Sequence, residues 1–262
     1  MKYFFVLLIS FIFLLSCSQR RNPIVQSTPV DMEDPCIHEA EEQNFVFEKD
    51  GRWWLWGGNN DNWHFDIDNW ALRPCQLHFG LGRESFQALI APQYTGWQEA
   101  DAIYDDDTRV LAVEDGDMVK VFPVPLMIKH EIINDVVNGD PIMVAYCVLA
   151  DLGAVYTREY CDHTLTFALS GYTYSDPEVW NGTEAFVLWD RETESLWWPL
   201  IDRGVSGAMS GVDLVKYIKG WEDTSWGAIK TQYDTSQIRV LKTGQSMEVP
   251  DSWNKLEGVK CF

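Results

Sequence analysis

The chain has 262 residues, with forty acidic against twenty basic side chains and a formal charge of −20. After Arg20-Arg21 no Lys/Arg cluster follows, so its charge argues against a nucleic-acid partner and against attraction to an anionic lipid surface. The length is enough for one large domain or two modest ones, with most of the unfolded chain's surface buried.

Residues 1–17, MKYFFVLLISFIFLLSC, place one Lys ahead of an apolar run that ends in Leu14-Leu15-Ser16-Cys17. The run is shorter than the ~20 residues a membrane span needs. It stops at a cysteine in the bacterial lipobox arrangement, not at the A-x-A pattern of a plain secretory peptide. The expectation is an export signal whose Cys17 becomes the lipidated first residue, anchoring the protein in the bacterial cell envelope outside the cytoplasm. Ser18 stands where an Asp would mark inner-membrane retention, which favours the outer membrane. No later apolar run has spanning length, so contact with the membrane is expected through the acyl chains. Residues 18–43 are polar and rich in Pro and acidic residues, and read as a flexible tether. Residues 44–262 read as one β-rich domain.

Lipidation of Cys17 leaves Cys36, Cys75, Cys147, Cys161 and Cys261. In an oxidising compartment disulfides are expected, and an odd count leaves a thiol over. Cys147 lies inside the apolar run 142–149 and is the expected free thiol, with up to two disulfides among the other four. The connectivity stays open.

Folded character starts at Phe45, where Trp53, Trp54, Trp56, Trp63 and Trp70 crowd together and read as core packing, with a stacking surface as the sharper alternative. Asn59 to Asn62 with Asp66 and Asp68 reads as a turn, since the spaced ligands of a calcium loop are missing. From Arg109 onward β-branched and aromatic runs dominate: 109–114 and 118–122 around the turn pair Asp115-Gly116, then 142–149, 154–160, 164–169, 185–189 and 237–241. Helical spacing of Leu126, His130, Ile133 and Val137 between Pro125 and Asn138-Gly139 predicts a helix with His130 turned inward. A second helix is expected over 225–233. The fold class read from this pattern is α+β, mainly antiparallel β with two or three short helices.

Several stretches together resemble the prokaryotic domain of unknown function 3179. They are His130-Glu131-Ile132-Ile133-Asn134-Asp135, Tyr146-Cys147, Leu165-Thr166-Phe167 with Ser170-Gly171, and Asp190-Arg191 with Thr193 and Ser195-Leu196-Trp197. The resemblance spans roughly residues 62–241. The family pattern has C-P-L-C where this chain has Cys147-Val148-Leu149-Ala150, so the second thiol is absent and neither a dithiol couple nor a two-thiolate metal clip can form there. The resemblance singles out Glu131, Asn134, Asp135, Asp190 and Arg191 as candidate binding residues, Glu131 and Asp135 sharing a solvated helix face and Arg191 offering a planar fork to an anion.

His130 and Cys147 are the candidate catalytic pair, either as thiolate and imidazolium or as two ligands of a soft metal such as copper or zinc. No cofactor is required by the sequence. The first functional expectation is an envelope protein that binds a small molecule or another envelope protein, or serves a structural role, on a scaffold that has lost its thiol pair. The second is a thiol- or metal-dependent redox enzyme using Cys147 and His130.

Overall fold

The computed structural model describes residues 43, 45–180, 184–246 and 256. The lipobox, the tether, Cys36 and Cys261 lie outside the described residues. In chain order, β1 (Val46–Lys49), β2 (Arg52–Leu55) and β3 (Phe65–Asp66) form a small antiparallel sheet. Next come β4 (Leu77–Phe79), β5 (Leu89–Gly96), α1 (Trp97–Asp101), β6 (Arg109–Asp115), β7 (Met118–Pro123) and α2 (Val124–Met127). The centre of the chain holds β8 (Ile132–Val137), β9 (Asp140–Cys147), β10 (Leu152–Thr157), β11 (Glu159–Tyr160), β12 (His163–Thr164) and β13 (Phe167–Tyr174). The last part is β14 (Ala185–Asp190), β15 (Leu196–Trp198), β16 (Arg203–Gly204), β17 (Trp221–Ser225), α3 (Trp226–Gln232) and β18 (Ile238–Ser246).

Eight strands make the large sheet, in the order β10-β9-β8-β5-β18-β7-β6-β17, and five make the second, β16-β15-β14-β13-β4. Among the described strands only β5–β8 and β18–β7 pair in parallel. The large sheet curls into a nearly closed barrel. Its seam is crossed by chain 215–220, where the Thr157 N–H donates to Val215 O (2.9 Å), the Tyr217 N–H to Val155 O (2.8 Å) and the Glu114 N–H to Gly220 O (2.8 Å). Arg109 on β6 completes the closure, holding Asp223 of β17 through two hydrogen bonds (2.8 and 2.7 Å) and also reaching Asp151 at the foot of β10.

Burial on both faces explains the near-continuous apolar runs. Along β9, Ile142, Val144 and Tyr146 point into the barrel, while Met143, Ala145 and Cys147 point into a second core under the five-stranded sheet. The alternation is the period of two that a pleated strand imposes. On β6, Leu111 and Val113 fill the barrel, and Val110 and Ala112 meet Trp226 and Ile229 of α3 on the outside.

The structure corrects the α+β class: 46% of the described residues are strand and 16% helical, and the three α-helices among them are only five, four and seven residues long. They cap barrel faces without forming a layer, so the fold is mainly β. The helix expected from Pro125 to Val137 is one helical turn, α2, followed by strand β8. Asn138 (φ 51°) and Gly139 (φ 82°) form the β8–β9 hairpin turn instead of a helix stop. Asn-Gly is the strongest two-residue hairpin signal, and the β-branched run Ile132-Ile133 and Val136-Val137 agrees with it. The other helix is found where expected, with the Ser225 hydroxyl accepting from the Ala228 N–H (3.3 Å) as N-cap. Of the early tryptophans only Trp70 is buried; the deepest ones include Trp189, Trp197, Trp198 and Trp226.

One side chain joins the two sheets. Asn134, buried on β8, accepts from the Phe167 N–H on β13 (2.9 Å) and donates to Phe167 O (2.9 Å), and its amide lies 3.4 Å from Leu89 O. It pairs with Phe167 as a neighbouring strand would. Asn134→Ala leaves both Phe167 groups buried and unpaired, so we expect a stability loss of about 3 kcal/mol. In denaturant titration this is a lower midpoint at unchanged slope. A loss below about 1 kcal/mol would show that the sheets do not depend on it.

Candidate functional site

A cavity of about 410 Å³ opens where the end of the barrel meets the five-stranded sheet. One wall is the turn before β8, with Glu131, and the β9–β10 hairpin, with Cys147, Val148 and Leu149. The opposite wall comes from Leu169, Tyr172 and Thr173 of β13 and Phe186 of β14. The loop after β4, Gly80-Leu81-Gly82, with Phe86, closes the side. Leu81 (64% exposed), Leu149 (52%), Val148 (46%) and Ile128 (43%) give the mouth an apolar rim.

Glycine makes this wall close-fitting. Gly171 has φ +89°, and a Cβ there would stand 2.1 Å from the Gly82 carbonyl carbon. The strand bulges at this point, its pairing with β14 shifting between Leu169 and Thr173. That lets the Gly80 N–H reach Gly171 O (2.9 Å) and the Glu84 N–H reach Leu169 O (3.0 Å).

Glu131 is the one ionisable carboxyl in the lining. It is 8% exposed, takes φ +59°, and among the described residues its carboxylate accepts only from the Val148 N–H, at 3.4 Å. Burial pushes its pKa up to about 7, against the weak pull of that N–H. Cys147 is a free, buried thiol. Burial raises its pKa first of all and the Glu131 charge adds to this, while the backbone N–H groups of Phe186, Ala150 and Leu149 pull the other way. The thiol therefore stays neutral near pH 7.

His130 sits half-buried in the turn after α2, not on the inner face of a helix, and its Nδ1 donates to Gln87 O (2.9 Å). It is not part of the cavity wall that Cys147 lines. Asp135 on β8 accepts from Lys120 Nζ (3.0 Å) and from the Tyr94 hydroxyl. No group of three or more His, Cys, Asp or Glu among the described residues is placed to hold a metal.

Asp190 and Arg191 belong to a buried turn. Asp190, 0% exposed, accepts from the Thr193 N–H (2.7 Å), the Thr193 hydroxyl (2.7 Å) and Trp197 Nε1 (2.8 Å). Burial still lifts its pKa to about 7. Arg191 grips Glu84 with Nε (3.0 Å) and Nη2. Arg83 pairs with Glu194 (3.1 Å), its guanidinium 3.6 Å from the centroid of the Trp189 ring. The segments 83–84 and 190–197 are thus cross-linked by two ion pairs. Asn60 caps the short 3-10 turn 61–63, and Asp66 and Asp68 hold Arg52, so the early acidic stretch forms a turn. Neither Cys75 nor Cys161 is a free thiol.

Leu169, Tyr172 and Phe186 are not among the candidate site residues read from the sequence. The signal that marks them is the glycine pair: Gly82 and Gly171 must touch backbone to backbone.

The model of a family described as proteins of unknown function, DUF3179, matches residues 83–248. No curated protein and no solved structure matches the chain. The match covers more than half of the chain, and the chain belongs to that family.

A raised carboxyl pKa fixes the sign of a pH effect. Between about 4.5 and 7 folded Glu131 holds a proton that the unfolded chain releases, so its contribution to stability falls as pH rises through this window. Glu131→Gln removes that slope. At pH 8 the variant should exceed the wild type by up to about 3 kcal/mol, and at pH 4 by nothing, as read from denaturation midpoints. Parallel pH profiles for the two proteins would disprove a raised Glu131 pKa.

Proposed function

We propose that this family member is a lipid-anchored envelope protein that binds a small, largely apolar molecule in the cavity above Glu131 and Cys147. The observation that carries the reading is the cavity itself. It is concave, of the size that small ligands fill, walled by apolar and aromatic side chains, with few polar groups converging on it. Its rim continues as exposed Leu81, Val148 and Leu149, which gives an apolar molecule a path inward.

The redox reading finds less support. The Cys147 thiol is held neutral by burial, Ala150 replaces the resolving thiol, and His130 is engaged by Gln87. The reading assigns attachment to lipid on Cys17, after the lipobox, and up to two disulfides to Cys36, Cys75, Cys161 and Cys261. An outer-membrane location follows the Ser18 preference.

Two experiments test the reading. Calorimetric titration of the full-length protein in lipid nanodiscs, with empty discs as blank, should show saturable uptake of phenylbutanol. Leu149→Glu, a change at an exposed rim position, should weaken it at least about tenfold, or about 1.4 kcal/mol. No uptake above the blank would remove the binding role. Separately, Cys17→Ser should abolish incorporation of a fatty-acid analogue, and equal label on both proteins would remove the anchor.

A further inference from the structure

The floor of the cavity has a polarity that its walls do not explain. Glu131 is more than nine-tenths buried, yet among the described residues no Lys, Arg or His faces it, and its carboxylate takes a single long hydrogen bond from the Val148 N–H. The residue lines the cavity, and no other hydrogen bond to its carboxylate is found among the described residues. A buried charge without a partner costs several kcal/mol unless something offsets it. The turn holds the residue there despite the unfavourable positive φ of a non-glycine residue.

Three candidates could supply the missing donor. A hydrated metal ion needs several oxygen ligands, and the lining provides one carboxylate among hydrocarbon. A carboxylic acid would set like against like in a chain of charge −20. An ammonium on an apolar body fits both parts of the site: its charge meets Glu131, its body meets Leu169 and the aromatic rings of Phe86, Tyr172 and Phe186, and such rings also attract cations.

We propose that the ligand is a lipophilic amine, an organic cation with an apolar body, whose ammonium pairs with Glu131 on the cavity floor. This rests on the binding role given above and names the class of molecule. The amine donates to the Glu131 carboxylate, the hydrocarbon displaces water from the mouth, and no bond is made or broken.

The test compares three probes of one shape, phenylbutylamine, phenylbutanol and phenylbutyrate, titrated calorimetrically at pH 7.5 into the full-length protein in nanodiscs against empty discs. The amine should bind at least tenfold more tightly than the alcohol, and the butyrate should bind least. Glu131→Gln should lower amine affinity at least tenfold, and far more than it lowers that of the alcohol. Equal affinity for amine and alcohol in the wild type, or tighter binding of the butyrate, overturns the amine assignment while leaving an apolar binding site. That comparison needs no variant, so it decides the matter even if Glu131→Gln fails to fold. If none of the three binds, the binding role fails with it.

Discussion

Strands β8, β9 and β10 belong to two cores at once, and the rest of the molecule is arranged around that constraint. One face fills the barrel with Ile133, Val144 and Val155, while the other meets the five-stranded sheet with Ile132, Ala145 and Tyr156. The buried positions of such strands are committed, because shifting the register by one residue would exchange the two faces. The Asn134 clasp sits at the point of contact. Its side chain is polar among buried apolar neighbours, and it is satisfied by the backbone at Phe167 and Leu89, so it fixes the relative register of two sheets that apolar contact alone would let slide.

The residues that carry the family signature mostly hold the second sheet in shape. Asp190 gathers its own turn, and the crossing pairs Arg191–Glu84 and Arg83–Glu194 tie that turn to the loop leading away from the cavity. Buried pairs of this kind add little net stability, since desolvation offsets most of the attraction, but breaking one leaves a charge stranded. Their effect is positional. They hold Gly82 against Gly171, and that contact sets the side wall of the cavity.

How much of this was legible follows from the range of each signal. The Asp115-Gly116 hairpin and the Ser225-capped helix are encoded within a few residues, and both are where the sequence places them. The run 142–149 reads as a strand because burial on both faces leaves no polar interruption. The segment 125–137 misleads because Pro125 does start a helical turn, and Leu126, Ile133 and Val137 do fall at helical spacing by coincidence. The β-branched residues and Asn-Gly decided the outcome through their pairing with β9, a contact that helical periodicity cannot register. Treating Glu131 and Asp135 as neighbours on one helix face was the cost of that misreading. In the structure Glu131 ends a turn at the cavity, and Asp135 lies on the strand beside Lys120.

The cavity site was unreadable for a different reason: its parts come from residues 80–86, 128–131, 147–149, 169–173 and 186, each unremarkable alone. The altered motif, Cys147 to Ala150, becomes intelligible once they are together. The N–H groups of Leu149 and Ala150 turn toward the Cys147 sulfur, so the backbone of the turn serves the one thiol that is present. Ala150 packs against the core as a small apolar residue, and the intervening Val148 and Leu149 project to the rim. A hairpin whose two thiols would have made it reactive serves here as an apolar lip. The one carboxyl left among the described residues of the lining is then Glu131, set in a wall that is otherwise mostly hydrocarbon.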